Sequence, residues 1–146
     1  MGDSMVGSAR LLGIFCLSVL LAVAAKADGG VTTVSGEELS RLVDQGVTVV
    51  DVRRSDEWRS TGVIHGSRLI TAFDEYGQLN PRFTAEVSAA VGKNQPVALI
   101  CRSGRRSTVA AQVLAREAGF TKLYNVSGGI SAWLDQGKPV EPCTSC

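Results

Sequence analysis

Short apolar stretches alternate along the chain with stretches whose apolar residues recur at helical spacing. Residues 47–50 and 97–100 are almost entirely apolar or β-branched, which is typical of strands buried inside a parallel sheet. With three further short stretches, the predicted strands are residues 31–34, 47–50, 68–70, 97–100 and 122–126. Strands that alternate with helices in this way predict an α/β fold, with a parallel central sheet of about five strands and helices on both faces.

Capping residues and glycines mark where the predicted helices begin and end. Ser35 and Glu38 have the spacing of a capping box at the start of the first helix. Ser55 is predicted to cap the second helix and Asn80 the third. The predicted helices are residues 36–45, 56–61, 81–91, 107–118 and 130–135. The apolar face of the fourth helix is predicted to comprise Val109, Ala110, Val113 and Leu114.

The stretch 101–107, between the fourth predicted strand and the fourth predicted helix, carries the most distinctive chemistry. It reads Cys-Arg-Ser-Gly-Arg-Arg-Ser and holds the conspicuous basic cluster of the chain. The N–H groups and partial positive charge of a helix start, together with the arginines, favour the ionised form of Cys101. The same positive surroundings suit an anionic substrate. Asp51 also ends a predicted strand, and active sites of parallel sheets lie at that edge, so we expect Asp51 near Cys101.

Composition bounds the class of protein. The chain has 146 residues, of which 45% are hydrophobic and 20% charged, as in a single globular domain. Its formal net charge is +1, which gives no reason to expect binding to nucleic acid or to a membrane surface.

The N-terminal residues predict export. Arg10 precedes an uncharged apolar run over residues 11–25, and the Ala-Lys-Ala sequence that ends at Ala27 is a small-residue cleavage site. Residues 1–27 are therefore predicted to be a cleavable signal peptide, with a secreted or periplasmic mature protein that has no stable membrane span. An uncleaved N-terminal anchor is the alternative, although the run is shorter than the roughly 20 residues that span a bilayer.

The role of the cysteines depends on that cleavage. The chain has four cysteines, and removal of the signal peptide takes away Cys16. Cys143 and Cys146 form a C-x-x-C tail after a predicted domain of residues 28–142, and in an oxidising compartment they are expected to pair. Cys101 would then be the free thiol. The tail could instead accept sulfur from Cys101 or reduce it. A zinc site would need two more ligands, so no metal and no cofactor are expected.

Several motifs, in a fixed order along the chain, point to one family. They lie at residues 49–53, 57–67, 101–107 and 119–140, and the third has the pattern Cys-Arg-x-Gly-x-Arg-Ser. Together they resemble the single-domain rhodanese family of thiosulfate sulfurtransferase-like proteins. One departure is visible. Val63 stands where the family usually has a histidine, and His65 lies two residues further on. We expect this change to affect local packing more than chemistry.

The resemblance implies a sulfurtransferase. Cys101 would attack the outer sulfur of a donor such as thiosulfate, sulfite would leave, and a Cys101 persulfide would pass its sulfur to a thiol or to cyanide. The backbone N–H groups of residues 102–106 are expected to stabilise the thiolate and then the persulfide.

The residues of the loop have expected roles. Arg102 and Arg106 are expected to hold the sulfonate end of the donor, and Arg105 to face solvent. The full set of predicted substrate-binding residues is Arg102, Ser103, Gly104, Arg105 and Arg106. The residues expected to support the loop are Asp51, Arg53 and Ser107.

Two other functions share parts of this pattern. Cysteine phosphatases and arsenate reductases of related fold need an arginine six residues after the cysteine, a position that Ser107 holds here. Arg106 comes one residue early, and the shorter loop disfavours phosphate chemistry. A carrier that delivers persulfide sulfur to a protein partner, without turning over small acceptors, stays open because it would use the same cysteine.

Overall fold

Five strands, each parallel to its neighbours, form the central sheet of the computed structural model, which describes residues 30–146. The strands are β1 (Val31–Val34), β2 (Thr48–Asp51), β3 (Arg68–Leu69), β4 (Val97–Ile100) and β5 (Leu123–Val126). Their order across the sheet is β1-β5-β4-β2-β3. All residues of β4 are buried. The predicted parallel sheet is confirmed, and the strand that leads into Cys101 is its middle one.

Helices cover both faces of the sheet, as predicted. They are α1 (Gly36–Asp44), α2 (Ser55–Thr61), α3 (Phe83–Ala90), α4 (Arg105–Glu117) and α5 (Gly129–Asp135). One hydrophobic core lies against α3 and α4, which contribute Phe83 and Leu114. The other lies against α1 and α5, which contribute Leu39 and Trp133. Successive residues of β4 belong alternately to the two cores, as the pleat of a strand requires.

The start of α1 matches the prediction and the start of α2 does not. Ser35 and Glu38 form the predicted capping box, with bonds of 3.2 Å from the Glu38 N–H and 2.7 Å from the Ser35 N–H. At α2, Arg54 and not Ser55 occupies the N-cap position. The Arg54 N–H group donates to the Glu57 carboxylate at 3.1 Å. An acidic side chain inside the helix therefore satisfies the donor that Ser55 was expected to serve.

The starts of α3 and α4 also differ from the prediction. The carbonyl oxygen of Asn80 accepts the N–H group of Phe83 at 3.0 Å, which forms a turn ahead of α3. The helix therefore begins at Phe83 and not at the proline after Asn80. Conversely, α4 begins two residues earlier than predicted, at Arg105, because Gly104 takes a left-handed conformation with φ of 93° and serves as its N-cap.

Val109 does not belong to the apolar face predicted for the fourth helix. It is 45% exposed, whereas Ala110, Val113 and Leu114 are buried as predicted. The helix packs on the sheet through these residues and Ala111. The apolar side chain of Val109 is left at the surface, where it lines a cavity together with residues of the cysteine loop.

The C-terminal tail is tied to the second helix. Cys143 and Cys146 are joined as a disulfide, and the guanidinium group of Arg59, on α2, donates to the carbonyl oxygen of Cys146 at 2.8 Å. Among the residues that the structure describes, Cys101 is the free cysteine.

The predicted signal peptide, residues 1–27, lies outside the described residues, and Cys16 lies outside them with it. Export of the chain and the boundaries of the predicted domain, residues 28–142, therefore stay predictions. Within the part of the chain that is described, no helix has both the length and the apolar character needed to cross a membrane.

Candidate active site

Cys101 directly follows β4, at the carboxyl edge of the sheet, and is only 1% exposed. The N–H group of Gly104 donates to its Sγ atom at 3.1 Å, and the hydroxyl of Ser107 lies 3.3 Å from the same atom. Because α4 begins at Arg105, the sulfur lies at the N-terminus of a helix of 13 residues. These donors and the helix start can stabilise negative charge on sulfur without a separate base.

Asn125, on β5, extends this arrangement, although no site role was predicted for it. The Ser107 hydroxyl lies 2.6 Å from the Oδ1 atom of Asn125, and both residues are buried. A hydroxyl group has a single hydrogen atom, so Ser107 can donate it either to Asn125 or to the sulfur of Cys101. A polar residue in an otherwise buried strand is the signal in the sequence that marks such a position, because buried polar groups need partners.

Helix α5 holds the cysteine loop from the other side. The N–H groups of Ile130 and Ser131 donate to the carbonyl oxygens of Cys101 and Arg102, at 2.8 and 3.1 Å. This contact requires glycine at position 129. Gly129 has a φ of 58°, and a β-carbon there would lie 2.6 Å from the carbonyl carbon and oxygen of Arg102. A larger residue would push the loop away from α5.

Arg106 forms an ion pair with Glu57, on α2. Two parallel hydrogen bonds of 2.8 and 2.6 Å join the guanidinium group to the carboxylate, and both side chains are largely buried. Burial alone would raise the pKa of Glu57, but the hydrogen bonds from Arg106 and from the Arg54 N–H group, with their charges, lower it below its usual value. The hydrogen bond to Glu57 in turn raises the pKa of Arg106. The pair links α2 to the cysteine loop.

We expect the Glu57→Gln variant to be less stable at neutral pH by about 1–2 kcal/mol, because the guanidinium group of Arg106 loses a charged partner. The pKa of Glu57 is lowered in the folded chain. The stabilisation is therefore complete above the ordinary glutamate pKa of 4.5 and is lost as the pH falls through the lowered value. Urea unfolding from neutral to acidic pH should show the gap between wild type and variant closing toward acid.

The matched control for that experiment is the same substitution in an Arg106→Met background. Without the guanidinium group, Glu57→Gln should change the free energy of unfolding by less, and the pH dependence of the change should weaken. A gap that stays constant or widens toward acidic pH would contradict the assignment of this ion pair.

Asp51 and Arg53 form a second ion pair, which is fully buried. The Arg53 guanidinium donates to both carboxylate oxygens of Asp51, at 2.9 Å from Nε and 2.7 Å from Nη2. It also donates to the hydroxyl of Thr61 at 2.6 Å and to the carbonyl oxygen of Gly62 at 2.9 Å, at the end of α2. Asp51 was expected to bind the backbone of the cysteine loop, but the hydrogen bonds of its carboxylate in the described chain go to Arg53. Its support of the loop is indirect and runs through α2.

The remaining loop residues surround two cavities. One, of about 500 Å³, is lined by Arg102, Ser103 and Arg105 together with the apolar Phe73 and Val109. The other, of about 330 Å³, lies on the side of α2 and α5, and Arg102 lines both. Arg102 and Arg105 are exposed, and within residues 30–146 neither side chain has a hydrogen bond or an ion pair. They are the loop arginines that remain available to an anionic ligand.

A comparison with protein families decides the class of this site. The family model for the rhodanese-like domain matches residues 35–136, which include both the cysteine loop and Gly129. The chain belongs to the rhodanese-like domain family. Its sheet and the five helices are the rhodanese fold predicted from the motifs.

Relatives of this rhodanese-like chain bear sulfurtransferase names. Thiosulfate sulfurtransferase 18 of Arabidopsis thaliana is 30% identical over 115 residues, which cover 75% of this chain and 83% of the relative. Rhodanese-like domain-containing protein 17 of the same plant is 30% identical over 116 residues, which cover 76% and 73%. The crystal structure of Rv0390 from M. tuberculosis superposes with a TM-score of 0.66 at 28% identity and covers 77% of this chain and 98% of the other. At family level, these similarities support a sulfurtransferase-type function.

Val63, at the position where a histidine is usual in rhodanese-like domains, is 5% exposed and pairs through its backbone with Glu141. The substitution therefore falls in a packed connection to the C-terminal segment. His65, the one histidine of the chain, donates to or accepts from the Glu141 carboxylate at 2.7 Å, and this bond raises the pKa of His65. It lines neither of the two cavities beside the cysteine loop.

Proposed function

We propose that the chain is a sulfurtransferase that moves sulfane sulfur from a thiosulfate-like donor to a thiophilic acceptor through a persulfide on Cys101. The observation that carries the proposal is the surroundings of Sγ. The sulfur is buried at the start of α4 and lies within hydrogen-bond distance of the Gly104 N–H group and the Ser107 hydroxyl. An anionic sulfur stabilised in this way can attack without a histidine base.

The reaction has two steps. The thiolate of Cys101 attacks the outer sulfur of thiosulfate, a bond forms between the two sulfur atoms, and the donor's own S–S bond breaks. Sulfite leaves with the electron pair of that bond. In the second step an acceptor thiol attacks the outer sulfur of the persulfide, Cys101 leaves as a thiolate, and the proton of the thiol stays with the new persulfide. No net oxidation or reduction occurs, because the sulfane sulfur only changes its partner.

The arginines have different parts in this reaction. Arg102 and Arg105, which have no side-chain partners among residues 30–146, supply positive charge to the oxygen atoms of the donor. Arg106 was expected to share this role, but its guanidinium is bound by Glu57. It stabilises the loop and adds its charge to the site. Ser107 at the sixth position after the cysteine, buried beside the sulfur, leaves no arginine to encircle a phosphate.

Intact mass spectrometry tests the persulfide. The purified, reduced chain is incubated with thiosulfate, freed of excess reagent and weighed before and after addition of cyanide. We expect a gain of one sulfur atom on Cys101, its loss to cyanide, and repeated turnover to thiocyanate. A chain treated with sulfate is the control. Absence of the added sulfur would remove the proposal. A sulfur that is gained but never passed to cyanide or small thiols would favour the carrier that supplies a protein partner.

We also propose that the protein acts outside the cytosol, on the basis of the apolar run and the cleavage site before residue 28. The same mass measurement tests this when the full sequence is expressed in a secreting bacterial host. The exported chain should begin at Asp28. Recovery of the uncleaved chain from the membrane would favour the N-terminal anchor, and its recovery from the cytosol would rule out export.

A further inference from the structure

Large apolar side chains are exposed on one side of the cysteine loop. Among residues 30–146, the large hydrophobic residues with the most exposed surface are Tyr76 (80%), Val109 (45%) and Leu79 (36%). Val109 lines the cavity of about 500 Å³, and Tyr76 is next to Gly77, which lines it too. Leu79 pairs through its backbone with Phe73, a further lining residue. Apolar surface gathered at a cavity in this way marks a binding site.

The charge of the same cavity is positive. Its charged lining residues are Arg102, Arg105 and Arg106, and of these Arg106 alone has a carboxylate partner among the described residues. The neighbouring acidic residue Asp74 does not line the cavity, and its carboxylate accepts the N–H groups of Tyr76 and Gln78 at 2.9 and 2.8 Å. The cavity is thus suited to a ligand that carries a negative charge as well as apolar surface.

Neither substrate of the simplest reaction uses both features. Thiosulfate and cyanide have no apolar part, so Phe73 and Val109 would have nothing to contact. A cavity of about 500 Å³ has the size that is usual for organic ligands, roughly 300–1,000 Å³. The unused apolar lining therefore belongs to the acceptor side of the reaction.

We propose that this cavity binds the sulfur acceptor, and that the acceptor is an organic thiol with an apolar chain that ends in a carboxylate. The chain lies against Phe73 and Val109, the carboxylate is bound by Arg105, and the thiol reaches the outer sulfur of the Cys101 persulfide. Attack by the thiol breaks the S–S bond to Cys101, which leaves as a thiolate. The acceptor keeps its proton and becomes an organic persulfide. This inference rests on the proposed function and adds the class of the acceptor.

Three thiols of similar reactivity test it, each offered with thiosulfate as the donor. Mercaptohexanoate has both the apolar chain and the carboxylate, mercaptohexanol lacks the charge, and mercaptopropionate lacks most of the chain. We expect kcat/KM for mercaptohexanoate to exceed that for each of the others by about tenfold, since ion pairing and the burial of a few methylene groups are each large enough for that. Equal rates for the three thiols would overturn the proposal.

Two variants assign the preferences to residues. Arg105→Gln should abolish the advantage of mercaptohexanoate over mercaptohexanol, and Val109→Ser should reduce its advantage over mercaptopropionate. Both positions are exposed, so both variants should fold. The control is Arg116→Gln, an exposed arginine in the last turn of the same helix, which should keep both preferences. Variants at 105 and 109 that also keep them would exclude this cavity as the acceptor site.

Failure of the inference and failure of the proposed function have different signatures. A chain that gains sulfur on Cys101 and turns over cyanide, but treats the three thiols alike, contradicts the inference alone. A chain that gains no sulfur from thiosulfate contradicts the proposed function and, with it, the acceptor site.

Discussion

Replacement of Cys101 by serine is expected to abolish sulfur transfer from thiosulfate to cyanide, with turnover reduced at least about a thousandfold. A neutral serine hydroxyl is a far weaker nucleophile toward sulfur and cannot form a persulfide. The fold should survive, because serine is close to cysteine in size and can accept the hydrogen bond that Gly104 donates to Sγ. Thiocyanate formation measures the activity, and thermal unfolding measures the fold.

The matched control removes the other two cysteines of the described chain. A variant with Cys143→Ser and Cys146→Ser keeps Cys101 and should retain turnover, because the disulfide lies in the C-terminal tail beside Arg59. Turnover in Cys101→Ser above the reagent blank would show that the sulfur travels by another route. Loss of turnover in the tail variant would indicate that the C-x-x-C pair accepts sulfur from Cys101.

Disruption of the buried ion pair between Asp51 and Arg53 is expected to have the largest effect on stability. Arg53→Met and Asp51→Leu should each lower the free energy of unfolding by about 3–5 kcal/mol, because each leaves an uncompensated charge in a buried site. The residues are 1% and 0% exposed. Urea unfolding at neutral pH provides the measurement, and protein that is recovered only in aggregates would agree in direction.

A double-mutant cycle gives this prediction its control. The variant with both substitutions removes both charges together, so its loss of stability should be clearly smaller than the sum of the two single losses. Asp56→Asn, which removes the exposed partner of Arg54, should have a far smaller effect. Additive losses at positions 51 and 53 would show that the two charges do not stabilise each other.

This pair also connects stability to the site. Arg53 binds Thr61 and Gly62 at the end of α2, and α2 carries Glu57, which binds Arg106. We therefore expect partial loss of the first pair to loosen the loop before the sheet is affected.

The elements that the sequence predicts well are those determined by local pattern. The β-branched residues of β2 and β4 indicated buried parallel strands, and the Ser35–Glu38 spacing indicated a capping box; both signals lie within a few neighbouring residues. The place of Cys101 at the end of a strand followed from the same patterns. The start of α4 was missed because Gly104 was assigned to the loop and not to the left-handed position before a helix.

The contacts of the site could not be predicted, because they join side chains on different elements. Arg106 and Glu57 are 49 positions apart in the sequence, and Ser107 and Asn125 are 18 apart. Only the arrangement of the helices around the sheet brings each pair together. An arginine near a cysteine predicts positive charge, but its direction depends on whether a carboxylate lies nearby. Val109 was misplaced for a similar reason, since the side of a helix that meets the sheet depends on the packing angle.

The immediate framework around the sulfur of Cys101 is made largely of main-chain atoms. The N–H group of Gly104 faces Sγ, and α5 holds the carbonyl groups of Cys101 and Arg102. The side chains of Ser103 and Arg105 are exposed and take no part in that framework. For protein engineering, positions 103 and 105 are therefore exchangeable contacts on a fixed reaction centre. A library randomised at these two sites should yield variants selective for donors or acceptors of other size and charge while the sulfur keeps its surroundings.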